Sequence, residues 1–315
     1  MFEAGALLFL FADSPIHAGS GRALGGVDLP LQRERRTDYP IIQGSGIKGM
    51  LRAAISSASG GDAKWMEEVF GPPTERASEH AGAVAVGDAR LLLLPLRSLV
   101  GVYGWVTSPD VLARFIRDCG IVGVEPPGPV PSVKGEAEAL VTSDALVAGG
   151  PGKSVIVLEE FTFAARTDPA ASQVAQWLAE HALPDGPEYG YWREGVRRRL
   201  AVLHENAFRD FARLSTEVVT RIRLDPSTKT VEEGALWTEE YLPADTLLYA
   251  PVFASMSRVP RSDRSESSEG ARPPRSGRQI LEELTSAALR RVQVGGNETI
   301  GRGLAAIRFR MGGKG

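Results

Sequence analysis

The chain opens on a continuous apolar block over residues 6–11, which reads as a buried core strand rather than a signal peptide or a span. The period then changes. Ile47, Met50, Leu51, Ala54 and Ile55 recur at helical spacing and predict one apolar face, with Ser45 as N-cap of a helix beginning near Gly46. Residues 62–70 read as a short helix stopped by Gly-Pro-Pro, 84–94 as a strand broken at Gly87-Asp88, and 109–119 as an amphipathic helix capped by Ser108. The Pro/Gly-rich stretch 120–152 reads as loop, 155–163 as a strand, and 171–182 and 191–213 as helices. Alternation over 217–223, the turn D-P-S-T-K-T and a second run ending at Trp237 predict a hairpin. A strand follows at 247–254, a helix at 279–289, and strands at 292–294 and 304–309 flank a glycine-rich loop.

Strand, helix, strand near each end predicts an α+β protein with a ferredoxin-like sheet and a large central insertion. No repeat at a solenoid period is visible. The segment 258–278 holds six arginines and three acids with almost nothing apolar, and is expected to be a mobile loop.

Composition narrows the reading only a little. With 315 residues and 43% hydrophobic content the chain can bury a sizeable core, and 35 glycines and 21 prolines promise long loops. The net charge of −3 hides local basic clusters at Arg33, Arg35 and Arg36, and at Arg193, Arg197, Arg198 and Arg199. A single cysteine, Cys119, excludes an intrachain disulfide or a cysteine zinc site and fits a reducing cytoplasm.

The candidate chemistry lies in three places. The loop G-G-N-E-T-I-G-R-G, with Gly295, Gly296, Gly301, Arg302 and Gly303, can bring backbone close to a ligand and offer amides to an anion, and equally reads as a glycine-rich turn. It leads into a strand and lacks G-K-[ST], so it is neither a dinucleotide fingerprint nor a P-loop. The start of the first helix, with Ser45, Lys48 and Arg52, is an anion site by geometry or simply a solvated surface. Asp28, between Val27 and Leu29, caps a turn or holds a divalent ion near a scissile phosphate. His17 flanks the same loop, and Glu239, Glu240 and Tyr241 follow the hairpin as an acidic pair that is solvated in the plain reading. G-x-S-x-G and H-E-x-x-H are absent, which argues against common hydrolases and zincins.

Taken in order, H-A-G-S-G, G-G-V-D-L-P-L-Q-R-E, P-I-I-Q-G-S-G-I-K-G-M-L-R, G-A-L-W-T-E-E-Y-L-P and V-G-G-N-E-T-I-G-R-G resemble the RAMP proteins of CRISPR systems. The resemblance is to the repeated backbone subunit of type III-B, or Cmr-type, effector complexes, and spans the chain. It implies a single domain over 1–315 with a ferredoxin/RRM-like palm, a protruding β-hairpin thumb and large insertions. The palm would occupy mainly 1–60, 83–100, 150–165 and 279–312, the insertions 101–149 and 166–216, and the thumb about 217–250. Copies would stack in a helical filament along crRNA, beside other Cmr-type subunits. Complementary target RNA would be cut at regular intervals, with Asp28 as the catalytic aspartate and ligand of a divalent metal, Mg²⁺ by expectation. His17, Glu239, Glu240 and Tyr241 match positions around the cut. Ser45, Lys48, Arg52 and the 295–303 loop match positions on the crRNA backbone. Gly44 and Gly46 stand where the family usually shows serines.

The alternative within the same superfamily is a scaffold that binds RNA without cutting it. A stand-alone crRNA-processing ribonuclease and a small-molecule enzyme rank behind. Membrane association is not expected.

Overall fold

A computed structural model describes residues 2–23, 25–59, 62–149, 154–258, 273–287 and 289–313. The apolar block near the N-terminus is strand β1 (Ala4–Ala12), and its composition has a simple cause. Ala6, Leu8, Leu10 and Ala12 enter one hydrophobic core, while Leu7, Phe9 and Phe11 enter a second on the opposite face. A strand covered on both sides has no polar face to show.

The chain continues through β2 (Ile41–Ile42), α1 (Gly44–Ser59), α2 (Ala63–Phe70), β3 (Val84–Val86), β4 (Ala89–Arg97), β5 (Tyr103–Thr107) and α3 (Pro109–Val122). Then come β6 (Glu138–Val141), β7 (Val155–Leu158), β8 (Phe161–Thr167), α4 (Pro169–His181), α5 (Gly190–Arg199), β9 (Leu200–Leu203) and α6 (Glu205–Leu214). The last part is β10 (Glu217–Leu224), β11 (Val231–Tyr241), β12 (Leu247–Ala254), α7 (Gly277–Ser286), β13 (Arg291–Gln293) and β14 (Leu304–Met311).

The order β14-β1-β12-β4 is antiparallel throughout, with α1 between β1 and β4 and α7 between β12 and β14. That is the ferredoxin-like arrangement expected from the two ends of the sequence. Ile47 and Leu51 of α1 and Ile280 and Leu284 of α7 cover the same face. Beyond β4 the sheet runs on through β5, β9, β6, β8 and β7, with β5–β9 and β6–β8 parallel. The central insertions therefore extend one twelve-stranded sheet, and β10–β11 form a separate two-stranded sheet.

Several boundaries differ from the sequence expectation. The helix expected over 191–213 is broken by the fully buried strand Leu-Ala-Val-Leu at 200–203. The loop expected over 120–152 contains β6, which pairs between β9 and β8. The strand expected over 155–163 is the hairpin β7–β8, turned at Glu159 with φ 50°. The hairpin strand expected to end at Trp237 runs on to Tyr241, and the hairpin stops short of the thumb bound of about 250 implied by the resemblance, because Leu247–Ala254 pairs with β1 and β4 in the main sheet. Ser108 precedes α3, but its hydroxyl donates to Asp110 at 2.5 Å instead of accepting a helix amide. Residues 259–272 of the Arg/Ser/Pro-rich segment lie outside the described residues. Its end is ordered: Arg275 pairs with Glu68 and Glu283, and Ser276 forms a capping box with Gln279 on α7.

Candidate functional site at the base of the hairpin

The base of β11 gathers most of the candidate residues. A segment of the loop after β1 runs beside it in parallel, pairing Leu29 with Glu239. The Leu29 amide donates to the Thr238 carbonyl at 3.0 Å, and the Glu240 amide donates to the Leu29 carbonyl at 3.0 Å. This docking fixes Asp28. Its Oδ2 accepts from the Thr238 amide at 2.8 Å and the Thr238 hydroxyl at 2.9 Å, while the Asp28 amide donates to Thr238 Oγ1 at 2.9 Å. Oδ1 has no protein partner among the described residues, and the residue is exposed. The Thr238 bonds, backbone first, hold the Asp28 carboxyl below the ordinary carboxylate range, with help from nearby Arg22.

Glu239 and Glu240 are inside β11, not in a loop after it, and both are buried. Alternation along a strand sends them to opposite faces. Glu240 accepts from the Leu31 amide at 2.8 Å, the Thr216 hydroxyl at 2.7 Å and Arg33 at 2.5 Å. Glu239 accepts from Tyr241, from Trp237 Nε1 at 2.8 Å and from Asn297 Nδ2 at 2.9 Å, with Arg221 at 3.4 Å. Burial opposes the charge on both acids, but these donors and arginines prevail and keep both carboxyls below their ordinary value. Tyr241 moves the other way, raised by burial and by the Glu239 carboxylate it donates to.

His17 joins this cluster from the first loop. Its Nδ1 lies 2.7 Å from the Glu240 carbonyl, which can only accept, so Nδ1 carries a proton and Nε2 is the ring nitrogen left for other partners. The ring packs 5.4 Å from that of Tyr241. The Arg302 guanidinium lies over the Tyr241 ring, 4.9 Å from its centroid.

The glycine loop is built against His17. Gly295 has φ 75°, and a Cβ there would stand 2.2 Å from the His17 carbonyl oxygen; Gly303 has φ 79°, with the Val294 oxygen equally close. The anion-nest expectation meets a physical limit here. The Gly296 amide donates to the His17 carbonyl, Gly301 to Glu298, Arg302 to Asn297 and Gly303 to Pro15. Those four donors are spent inside the fold, so the loop's contribution is its packing and the Arg302 side chain.

The first helix departs from expectation in a similar way. α1 begins at Gly44, so Ser45 lies in its first turn rather than capping it. The Gly44 amide donates to Asp88 at 2.8 Å, and this carboxylate already complements the helix N-terminus. Ser45 is exposed and its hydroxyl has no protein partner among the described residues. Lys48 is half-buried and donates to the Val84 carbonyl at 2.9 Å; burial and neighbouring Arg52 lower its basicity. Gln32 joins the two regions, donating to the Gly19 carbonyl at 3.1 Å and accepting the Gln43 amide at 3.0 Å.

Thr238, Asn297, Gln32 and Arg33 thus hold the site together and were not singled out individually as site residues from sequence. Arg33 left a signal as part of a basic cluster; the other three lie within the resemblance motifs without being marked there. A cleft of about 630 Å³ adjoins the site only through Thr216; its other walls include Glu136, Glu159, Glu160 and Asp210, a poor match for phosphate.

For a divalent ion, the site offers the exposed Asp28 Oδ1, which has no protein partner among the described residues. That fits a hard cation which keeps most of its water and takes a substrate phosphate as a further ligand. Among the described residues no group of three or more His, Cys, Asp or Glu is arranged to hold an ion alone. No helix among them is long and apolar enough to cross a membrane.

Comparison with known proteins adds an independent line. The family model described as the RAMP superfamily matches residues 11–306. The CRISPR system Cmr endoribonuclease Cmr4 of Pyrococcus furiosus is 37% identical over 303 residues, covering 96% of this chain and 94% of the relative. The crystal structure of oligomeric Cmr4 from the same organism aligns with TM-score 0.71 at 28% identity, covering 98% of each chain. A chain from the type III-B Cmr-beta complex bound to cognate target RNA shares the fold, with TM-score 0.70 at 21% identity over 98% of each chain.

Proposed function

The chain belongs to the RAMP superfamily, and from that premise we propose that it is the repeated backbone subunit of a type III-B CRISPR effector. In this reading it binds crRNA as a multi-copy helical filament, beside other Cmr-type subunits in the cytoplasm, and cuts complementary target RNA at regular intervals. The palm is the β14-β1-β12-β4 sheet with α1 and α7, and the thumb is the β10–β11 hairpin. The observation that carries the proposal is Asp28, held against the hairpin base with one carboxylate oxygen left free. The name of the 37% identical relative, an endoribonuclease, supports cleavage over a purely scaffolding role.

RNA contains its own nucleophile, a 2′-hydroxyl beside each phosphate, so cleavage chiefly needs the backbone held in line and the departing charges balanced. Asp28 Oδ1 accepts the 2′-hydroxyl proton or orients that hydroxyl. A divalent ion, when bound there with the RNA phosphate, would supply charge stabilisation at the reacting phosphate. His17 Nε2 can hold or donate a proton at the same junction. Glu239 and Glu240 have their lone pairs engaged by the protein and serve to fix the hairpin base, while the buried ring of Tyr241 backs Arg302, whose guanidinium is the cation offered to RNA. Ser45, Arg52 and, once released from Val84, Lys48 face the guide backbone.

The test reconstitutes the complex with crRNA and end-labelled complementary RNA, using wild type and Asp28→Ala, with Mg²⁺ or EDTA. A regular ladder of metal-dependent products that disappears with Asp28→Ala is expected. Binding without cutting by wild type would leave a scaffold.

A further inference from the structure

Asp28 belongs to a glycine-flanked loop, yet its carboxylate is used asymmetrically. Oδ2 takes two bonds from one residue, the Thr238 amide and hydroxyl, and Oδ1 takes none from the described residues. The Thr238 hydroxyl has a single proton, and it is committed to Oδ2 because its oxygen already accepts from the Asp28 amide at 2.9 Å. The three bonds close a reciprocal clasp between positions 210 residues apart. Any rotation of the Asp28 side chain that turned Oδ2 outward would break two of them.

We propose that Thr238 is the positioning residue of the cleavage site: it anchors one oxygen of Asp28 so that the other is presented to RNA, and it ties that oxygen's location to the base of the hairpin. The inference rests on Asp28 being the cleaving residue. Thr238 lies in β11, where a β-branched side chain is well tolerated, but the sheet needs only the branch, not the hydroxyl. Valine would satisfy the strand equally well and could not hold the carboxylate. The same clasp explains why the loop and hairpin meet at this point: the neighbouring Leu29–Thr238 and Glu240–Leu29 backbone bonds continue it in register. A thumb that shifts on RNA binding would carry the catalytic carboxylate with it.

The experiment compares wild type, Thr238→Val, Thr238→Ser and Asp28→Ala in the reconstituted complex, under single turnover with saturating target RNA. Thr238→Val is expected to cut about 10–100-fold more slowly, the usual cost of losing a group that orients a catalytic ligand, with RNA affinity unchanged. Thr238→Ser should recover most of the rate. Wild-type cleavage by Thr238→Val, beside an inactive Asp28→Ala, would overturn the positioning role alone. Full cleavage by Asp28→Ala would overturn the functional reading beneath it.

Discussion

The guanidinium of Arg33 meets the carboxylate of Glu240 at 2.5 Å, joining the loop beyond Asp28 to the base of the hairpin across 207 residues of sequence. Neither group is well exposed, and Arg33 also donates to the carbonyls of Asp38 and Ala212. The pair therefore fastens three segments at one point.

Removing one partner of such a pair leaves the other uncompensated. Glu240→Ala is expected to destabilise the isolated chain by about 2–4 kcal/mol in urea unfolding, slightly under the cost of a fully buried pair because Arg33 retains some solvent. The sign with pH follows from the depressed Glu240 carboxyl. A lowered folded value gives stability that is present above the unfolded carboxylate's value and is lost as pH falls through the folded one. The stability gap between wild type and Glu240→Ala should thus be constant from pH 8 to about pH 5 and narrow only in stronger acid. A gap that narrows near neutrality would contradict this account.

Gly295→Ala probes the contact between the glycine loop and His17. The substitution forces an alanine to φ 75° and drives its Cβ into the His17 carbonyl oxygen. Left-handed backbone alone costs about 1–3 kcal/mol for a side-chain-bearing residue, and the clash adds to it. Thermal unfolding should report a clear loss of stability. If His17 takes part in the reaction, cleavage by the folded fraction should fall as well, because the displaced backbone carries the imidazole with it. Wild-type stability would mean that the loop relaxes freely away from His17.

Lys48 presents a different balance. Its ammonium already bonds the Val84 carbonyl and clamps α1 to β3. Lys48→Ala should cost about 1–2 kcal/mol of stability, as a half-exposed charge-assisted hydrogen bond does, and also weaken crRNA binding. Filter binding at two salt concentrations separates the effects: loss of a phosphate contact lowers the salt dependence, loss of fold does not. An unchanged salt slope would assign Lys48 to structure alone.

These contacts show what can be read from a linear sequence and what cannot. β1, α1, β12 and the ferredoxin-like ends were legible because period and burial coincide there; the caps Asp62 and Ser276, which act through local geometry, were not singled out. β9 was hidden because Arg197–Arg199 lead into it with helical composition; the four consecutive apolar residues at 200–203 were the available signal. Glu239 and Glu240 looked solvated because the strand was expected to end at Trp237. Continued for four residues, its alternation sends one acid to Arg33 and the other to Asn297. Thr238, Asn297 and Gln32 lie within the motifs that carry the resemblance, but nothing in those motifs marked the three residues themselves. Their partners lie in segments that only the folded sheet brings beside them, and a threonine in a strand invites no functional reading.

Asp28→Asn separates charge from shape at the proposed cleavage site. Asparagine keeps an oxygen that can accept both Thr238 donors, which places its amide NH₂ where the free carboxylate oxygen was. The loop should remain docked, so stability should change little, as at an exposed site without lost contacts. The presented group is now a neutral donor. It cannot accept a proton or hold a cation, and cleavage should fall by about 10²–10⁴-fold, the range contributed by a positioned acid–base group. A metal titration then distinguishes the two roles. If Oδ1 helps to hold a divalent ion, residual cleavage by Asp28→Asn should require much higher Mg²⁺ for half-maximal rate than wild type. If Oδ1 acts on the 2′-hydroxyl directly, the half-maximal Mg²⁺ concentration should be unchanged while the plateau rate drops.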